Sequence, residues 1–425
     1  MPTLAVIGLD ARHHRVLKEL GNDHGYDVRG VLGYDRVRTA RRYDLDDLLA
    51  AARRSLGNDP VDGITTYWDV PSSCLAPILA EERGLPTPGL RAIASFEHKL
   101  WSRQIQQEVA PDATPPFAAV DVFDDRSLEP PPLPFPFWLK PVKSASSHLS
   151  FHVRSATEHA AAIRQLRRGI GRLGLPFQHA LDRCDDLPDD IAALGGCAAI
   201  AEGGLDGDQC TLEGYVRDGV THVHGIFDIH RGEDGSTFTH YTYPSQMPEP
   251  ARARMEEIAT ALIDRVGYDG AAFNIEFFHD RESGRTTILE VNPRISQEHS
   301  QLMAWVDGAT NLQVMADLAL GRAPELRTGH GESSVAGKFF LRRPEDAQVT
   351  RIPTDRELAE LEERFAPAAI DLIVHDGERL SDVPEQESYS YLYGYLYLAA
   401  DDDAALTRRA AMVEDELAIR FAAVD

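Results

Sequence analysis

Apolar and polar residues alternate along two short runs near the middle of the chain, residues 273–278 and 286–291. A polar segment, HDRESGR, separates the runs and has Ser283–Gly284 at its centre. Alternating runs joined by a short polar segment that contains glycine are typical of two antiparallel strands and their turn. The pattern therefore predicts a β-hairpin.

The hairpin can be aligned by pairing its two strands symmetrically about the turn. Pairing about Ser283 sets Glu276 opposite Glu290, and the same register sets Asn274 opposite Asn292. Because successive side chains of a strand point to opposite faces, these four polar side chains are expected on one face of the hairpin. The apolar side chains expected on the other face are Phe273, Ile275, Phe277, Leu289 and Val291.

This register places two like charges opposite each other. Such a pair destabilises a sheet by roughly 0.2–1 kcal/mol. A divalent cation between Glu276 and Glu290 would remove the conflict, and carboxylate and amide oxygens are ligands that suit Mg²⁺. The alternative is an exposed edge hairpin whose two glutamates are simply solvated.

Strand and helix patterns alternate along the N-terminal part of the chain. Predicted strands cover residues 3–8, 28–32 and 63–67, and predicted helices cover residues 12–20 and 45–56. Alternation of this kind favours a parallel α/β layer. Only Gly8 stands where a dinucleotide-binding fold would carry G-x-G-x-x-G, so the pattern does not indicate an NAD site.

The later part of the chain shows a mixed pattern. Predicted strands cover residues 198–200, 211–216, 220–229, 334–341, 370–374 and 389–399, and predicted helices cover residues 156–168, 252–266, 311–320 and 404–421. Residues 172–190 are predicted to be irregular because prolines punctuate them.

Composition limits the class of protein. The chain has 425 residues, 43% hydrophobic and 26% charged, which is ordinary for a soluble globular protein of several domains. No apolar run reaches the length of about 18 residues that a membrane helix needs, so we expect no membrane association and a cytoplasmic location. A net charge of −25 argues against binding to nucleic acid. A nucleotide site would have to be locally basic against this overall field.

The motifs N-I-E-F-F and I-L-E-V-N-P-R of the hairpin resemble the metal-binding hairpin of the ATP-grasp superfamily. The resemblance extends, more weakly, over residues 1–325. It implies that Glu276, Glu290 and Asn292 hold Mg²⁺, with Mn²⁺ as an alternative, against the phosphates of ATP. It also implies that Arg294 faces the γ-phosphate or a carboxylate substrate.

The same resemblance implies a set of nucleotide-binding residues: Lys99, Lys140, Ser146, Ser147, Glu202, Leu205 and Gln209. Lys140 lies among apolar residues and precedes Pro141, as in the K-P motif of the family, although Lys99 and Lys140 could each be a surface lysine. The loop at residues 143–148, which covers the triphosphate in the family, has no glycine here. Gln209 stands where many members have a glutamate that binds the ribose.

The fold that the resemblance implies combines α/β and α+β parts, in a general layout similar to biotin carboxylase. We expect a Rossmann-like pre-ATP-grasp domain over residues 1–115 and a two-lobed ATP-grasp domain with antiparallel sheets over residues 116–328. The small lobe is expected at residues 116–198 and the large lobe at 199–328. A small C-terminal α/β lobe is expected at residues 329–425.

The implied activity is that of an ATP-dependent, ADP-forming ligase that joins a small-molecule carboxylate to an amine through an acyl phosphate, with amino acids or peptides among the candidate substrates. Two alternatives stay open: a carboxylase or thioester-forming ligase, and a binding protein without turnover. The identities of the substrates, the roles of His148 and His299, and the formation of a homodimer also stay open.

Overall fold

The structure is a computed structural model that describes residues 1–144, 148–232, 237–383, 386 and 390–424. The predictions for Ser146 and Ser147 therefore fall outside the described residues. Within those residues, no helix is both long enough and apolar enough to cross a membrane.

The N-terminal unit is the predicted parallel α/β layer. Its elements are β1 (Thr3–Leu9), α1 (Ala11–His24), β2 (Asp27–Gly33), α2 (Leu45–Leu56), β3 (Gly63–Thr65), α3 (Ser72–Glu81), α4 (Leu90–Glu97) and α5 (Lys99–Val109). The three strands form a sheet of order β2-β1-β3 in which both pairings are parallel. The carboxyl ends of these strands face the later parts of the chain, where Asp69 meets Arg294.

A second, antiparallel sheet has the order β4-β7-β5-β6. Its strands are β4 (Phe117–Val120), β5 (Phe137–Pro141), β6 (Phe151–Val153) and β7 (Ala199–Gly203), and the helices α6 (Ala156–Gly169), α7 (Gly171–Leu181) and α8 (Asp189–Leu194) lie between β6 and β7. The prediction that residues 172–190 are irregular is wrong, because α7 and α8 occupy much of this stretch. α7 contains Pro176, and burial of Leu173, Phe177 and Leu181 on one side of the helix outweighs the cost of an internal proline.

The largest sheet has eight strands in the order β12-β11-β8-β9-β10-β13-β16-β15. These strands are β8 (Asp208–Arg217), β9 (Val220–Arg231), β10 (Phe238–Tyr243), β11 (Ala271–His279), β12 (Thr286–Asn292), β13 (Val335–Arg343), β15 (Ala368–Leu372) and β16 (Tyr391–Ala400). Of the C-terminal strands, β13 pairs with β10, and β16 and β15 follow it, so these three strands extend the sheet that carries the predicted metal hairpin.

The remaining elements flank this sheet. They are α9 (Glu249–Val266), α10 (Ser300–Asp307), α11 (Asn311–Ala319), β14 (Ala347–Arg351), α12 (Asp355–Arg364), α13 (Asp403–Glu416) and β17 (Arg420–Ala423). The helix predicted over residues 404–421 ends earlier, at Glu416, because the residues after it form β17 and pair with β14.

The hairpin β11–β12 confirms the predicted register, with Asn274 opposite Asn292 and Glu276 opposite Glu290. The register shifts just beyond Glu276, where Phe277 pairs with Ile288. Ile288 is fully buried and takes the core position that was predicted for Leu289, which is only half-buried. The symmetric alignment assumed one register along the whole hairpin. A β-bulge adds one residue to one strand, so the pairs near the turn follow a different register from the pairs beyond the bulge.

Candidate active site

The polar face of the hairpin brings the three predicted metal ligands together. The side-chain amide of Asn292 donates to Asn274 Oδ1 at 2.9 Å and to Glu276 Oε1 at 3.4 Å. The amide of Asn274 donates to the backbone oxygen of Arg294 at 3.1 Å. These bonds fix Asn292 beside Glu276. Glu276 in turn lies directly opposite Glu290 on the neighbouring strand.

The two opposed carboxylates are in different electrostatic states. Burial and the neighbouring charge of Glu290 raise the pKa of Glu276 to about 7. Burial also acts to raise the pKa of Glu290, but the ammonium groups of Lys99 and Lys140 outweigh it and lower that pKa to about 2. The repulsion between opposed carboxylates that the sequence predicts is therefore present at Glu276. A divalent cation held by the oxygens of Glu276, Glu290 and Asn292 would relieve it.

Both predicted phosphate-binding lysines reach into the space between the four-stranded sheet and the hairpin. Lys99 Nζ lies 2.5 Å from Glu290 Oε2, and Lys140 Nζ lies 2.5 Å from Glu202 Oε2. Glu202 also accepts from Arg103 Nε at 2.6 Å. Arg103 and Lys140 together hold the pKa of Glu202 near 2, against the opposing effect of burial.

Sequence reasoning missed a second buried pair on the same side of the cleft. Lys143, just after β5, forms an ion pair with Glu97 at the end of α4, and the hydroxyl of Ser73 donates to the same carboxylate. Lys143 is 4% exposed and Glu97 is 3% exposed. A lysine in the triphosphate-loop segment was a signal, but nothing in the sequence named its partner.

Arg294 is held from behind by the N-terminal unit. Its Nε and Nη2 donate to the two carboxylate oxygens of Asp69 at 2.8 and 3.0 Å, and Nη1 donates to the backbone oxygen of Ile295 at 3.1 Å. Because these bonds engage three of the five N–H groups of the guanidinium, the head is oriented and retains donors for an oxyanion. A recess lies beside Arg294 and has a volume of about 540 Å³, including the part that is open to solvent. Thr65 and Thr66 also line it.

Gln209 and Leu205 lie where β8 begins. Gln209 is 2% exposed, and its amide donates to Glu276 Oε2 at 2.9 Å while its oxygen accepts from Arg231 at 2.6 and 2.9 Å. Leu205 is half-buried in the segment between β7 and β8. The structure therefore places Gln209 beside a candidate metal ligand, and its predicted contact with ribose stays a prediction.

His299 lies below the segment that follows Arg294. It is 2% exposed, its Nδ1 is 2.8 Å from Glu213 Oε1, and its ring stacks on Phe227 at 3.9 Å between centroids. Glu213 also accepts from the backbone N–H of Ser296 at 2.9 Å. This geometry favours a supporting role for His299 over direct acid–base chemistry.

Comparison with known proteins agrees with this architecture. A family model for the ATP-binding domain of the carbamoyl-phosphate synthase L chain matches residues 242–326, which include the hairpin. The solved structure of an L-amino acid ligase from Bacillus licheniformis superposes with a TM-score of 0.76 at 17% sequence identity, covering 100% of this chain and 99% of that one.

Sequence relatives cover less of the chain. Acetyl-CoA carboxylase of Schizosaccharomyces pombe is 34% identical over 108 residues, which is 24% of this chain and 5% of that protein. A provisionally named D-alanine–D-lactate ligase of Streptomyces coelicolor is 27% identical over 186 residues, 42% of this chain and 47% of that protein. This chain thus matches less than half the length of either relative.

These findings confirm the predicted resemblance to the ATP-grasp superfamily and its mixed α/β fold with antiparallel sheets. The matched family model describes an ATP-binding domain, and the Bacillus and Streptomyces proteins are ligases by name. The domain boundaries and the roles of individual residues stay predictions.

Proposed function

We propose that this protein is an ATP-dependent, ADP-forming ligase that joins a carboxylate to an amine through an acyl phosphate. One observation supports this more than any other: Glu276, Glu290 and Asn292 share one face of a hairpin, with Lys99 and Arg294 directed at the same cleft. The names of the Bacillus and Streptomyces proteins support amino acids or peptides as substrates.

The donor set fits Mg²⁺, with Mn²⁺ as an alternative. Glu276, Glu290 and Asn292 would hold it, and the bound ion would supply positive charge against the phosphates of ATP. The opposed placement of Glu276 and Glu290, with the amide of Asn292 beside Glu276, supports a cation there, and burial together with the charge of Glu290 raises the pKa of Glu276 in the same sense.

The protein side chains act by holding charges in place. Lys140 is buried and Lys99 is half-buried, and their ion pairs with Glu202 and Glu290 fix the ammonium groups where the nucleotide phosphates would enter. Arg294, oriented by Asp69, would bind the substrate carboxylate through the N–H groups that Asp69 does not use. Phosphoryl transfer depends mainly on such positioning and charge neutralisation.

The proposed reaction has two steps. A carboxylate oxygen attacks the γ-phosphorus of ATP, the bond to the β-phosphate oxygen breaks, and ADP leaves with an acyl phosphate in place. The substrate ammonium loses a proton to become a neutral amine, whose nitrogen attacks the acyl carbon. Phosphate then leaves with the electron pair of the C–O bond, and the nitrogen loses a second proton to give the amide. One oxygen of the original carboxylate must therefore end in the released phosphate.

Transfer of that oxygen is the test. A carboxylate that stimulates ADP release is labelled with heavy oxygen, and the mass of the released phosphate is measured by mass spectrometry after amide formation. The label is expected in the phosphate. Amide formation with unlabelled phosphate would rule out the acyl phosphate. Arg294→Lys, which keeps the charge and loses the fork, is expected to lower turnover more than ATP affinity.

The S. pombe relative is a carboxylase by name, so a carboxylation reaction is the second candidate. It predicts ADP release that depends on bicarbonate, whereas the ligase predicts dependence on a carboxylate and amine pair.

We also propose a cytoplasmic location, and the homodimer stays a prediction that light scattering can check.

A further inference from the structure

Asn274 lies on the polar face of the hairpin, two residues before Glu276 on the same strand. It is 2% exposed and pairs with Asn292 on β12 and with Glu213 on β8. Because directly paired residues share a face of the sheet, these three polar side chains form a row on the face that carries Glu276. The proposed reaction assigns no role to Asn274.

The hydrogen bonds of Asn274 fix the direction of its amide. A side-chain amide can turn by half a revolution and exchange its oxygen and nitrogen, so its partners decide which atom faces which way. The backbone oxygen of Arg294 lies 3.1 Å from Asn274 Nδ2, and a backbone oxygen can only accept a hydrogen bond. The nitrogen of Asn274 therefore faces Arg294, and its oxygen is turned towards Asn292.

The direction of the Asn292 amide follows from that of Asn274. Asn274 Oδ1 can only accept, and Asn292 Nδ2 donates to it at 2.9 Å. A second acceptor, Glu276 Oε1, lies 3.4 Å from the same nitrogen. The amide oxygen of Asn292 is thus turned away from these two acceptors, and it accepts no hydrogen bond from any residue that the structure describes.

This direction decides whether Asn292 can be a metal ligand. An amide oxygen can bind a divalent cation, whereas an amide N–H group repels one. Turning the Asn292 amide the other way would direct its N–H groups at the cation and its oxygen at two acceptors, Asn274 Oδ1 and Glu276 Oε1. Metal ligands are commonly held in their binding orientation by residues that do not touch the metal.

We propose that Asn274 is a positioning residue that keeps the amide oxygen of Asn292 directed at the divalent cation. The inference rests on the metal site of the proposed function and adds a residue that does not contact the cation. Asn274 also joins two parts of the site, because the backbone oxygen that orients it belongs to Arg294. Loss of Asn274 is expected to weaken metal binding itself and not only ADP release.

Binding of Mn²⁺ tests the inference without turnover. The ion is titrated into each protein, alone and with ADP, and the free ion is measured by its electron paramagnetic resonance signal against the same solution without protein. Asn274→Leu has a similar size and no acceptor, and we expect it to lower the affinity for Mn²⁺ about tenfold or more. Asn274→Asp keeps an acceptor for Asn292 in either protonation state, so its affinity is expected to be no lower than that of the wild type.

A change at Asn292 separates orientation from a general loss of structure. Asn292→Asp offers an oxygen in both directions, so it needs no orienting partner. In that background we expect Asn274→Leu not to lower the affinity for Mn²⁺, and the difference between the two backgrounds measures the coupling between the two positions. An unchanged affinity in Asn274→Leu alone, or an equal loss in both backgrounds, would overturn the inference.

Asn311→Leu is the matched control. Asn311 is a fully buried amide that donates to the backbone oxygen of Ser296 at 2.7 Å, in the segment that follows Arg294, and accepts from Ser300 at 2.6 Å. We expect its affinity for Mn²⁺ to be unchanged. A loss as large as that in Asn274→Leu would show that any disturbance of this segment weakens metal binding, and it would overturn the inference.

Two further outcomes are distinguishable. If Asn274→Leu does not unfold cooperatively, Asn274→Ala takes its place, and a lowered affinity in a folded Asn274→Asp protein would contradict the inference by itself. If the variants show the expected pattern but no carboxylate and amine pair stimulates ADP release, the ligase proposal fails and the positioning role stands. If the wild-type protein binds no Mn²⁺, with or without ADP, the metal site and the inference both fail.

Discussion

Replacing Arg103 by methionine tests how the four-stranded sheet and the metal hairpin are held together. Arg103 is 2% exposed and donates to Glu202 Oε1 at 2.6 Å, to the backbone oxygen of Ile288 at 3.0 Å and to that of Leu289 at 2.7 Å. It also donates to Gln106. Leu289 is the extra residue of the bulge and has no paired residue on β11. Arg103 therefore donates to a backbone oxygen, next to Glu290, at a point where the bulge interrupts the regular hydrogen bonds between the strands.

The expected loss follows from these contacts. Removing one partner of a buried ion pair costs about 3–5 kcal/mol. Each backbone oxygen left without a donor adds about 1–3 kcal/mol unless water reaches it. Lys140 still neutralises Glu202, which reduces the first cost, so we expect the free energy of unfolding to fall by about 4 kcal/mol.

Denaturant unfolding measures this change, and the Mg²⁺ concentration for half-maximal ADP release measures the effect on the hairpin. Arg103→Lys is the matched control, because it keeps the charge but loses the fork that reaches both carbonyls. We expect a smaller loss of stability in that variant and a higher Mg²⁺ requirement in both. An Arg103→Met protein within about 1 kcal/mol of the wild type, with an unchanged Mg²⁺ requirement, would refute the reasoning.

Three further predictions concern single positions. Glu290→Gln is expected to abolish metal-dependent turnover while unfolding stays cooperative, and near-normal turnover at saturating Mg²⁺ would contradict its role as a ligand. Lys140→Ala is expected to weaken ATP binding at least about tenfold by calorimetry, and an unchanged affinity would return Lys140 to a structural role. Burial lowers the pKa of His98 from 6.5 to about 4, so its contribution to stability is complete above pH 6.5 and is lost as the pH falls towards 4, by about 3 kcal/mol. His98→Asn, which can still cap α5, is expected to flatten that part of the stability profile, and an unchanged profile would assign the acid sensitivity to other groups.

The alternation of side chains in the hairpin was sufficient to predict its register and the meeting of Glu276 with Glu290. The bulge could not be predicted in the same way, because a one-residue shift depends on the geometry of the turn and on which of Ile288 and Leu289 packs better. Ile288 is fully buried in the structure, a preference that period-two alternation does not contain.

Partners that are distant in sequence were beyond the reach of a single sequence. Asp69 and Arg294 are 225 residues apart, and both would read as surface charges by themselves. The only signal for Asp69 was its place after the third parallel strand, where ligands often meet such sheets. The pairing of β13 with β10 was equally hidden, because alternation identifies a strand but not its neighbour.

The cations and carboxylates that line the cleft pair with one another. The cations that line it are Lys99, Arg103, Lys140, Lys143 and Arg294, and the carboxylates are Asp69, Glu97, Glu202, Glu276 and Glu290. Within the part of the chain that the structure describes, each of these five cations is paired with a carboxylate, so these ten side chains together carry no excess positive charge. The acids instead hold the cations at fixed positions, and a divalent metal on the hairpin would supply the excess positive charge that a triphosphate requires. The unrelieved burial of Glu276 beside Glu290 is the point in the cleft where that charge is most strongly favoured.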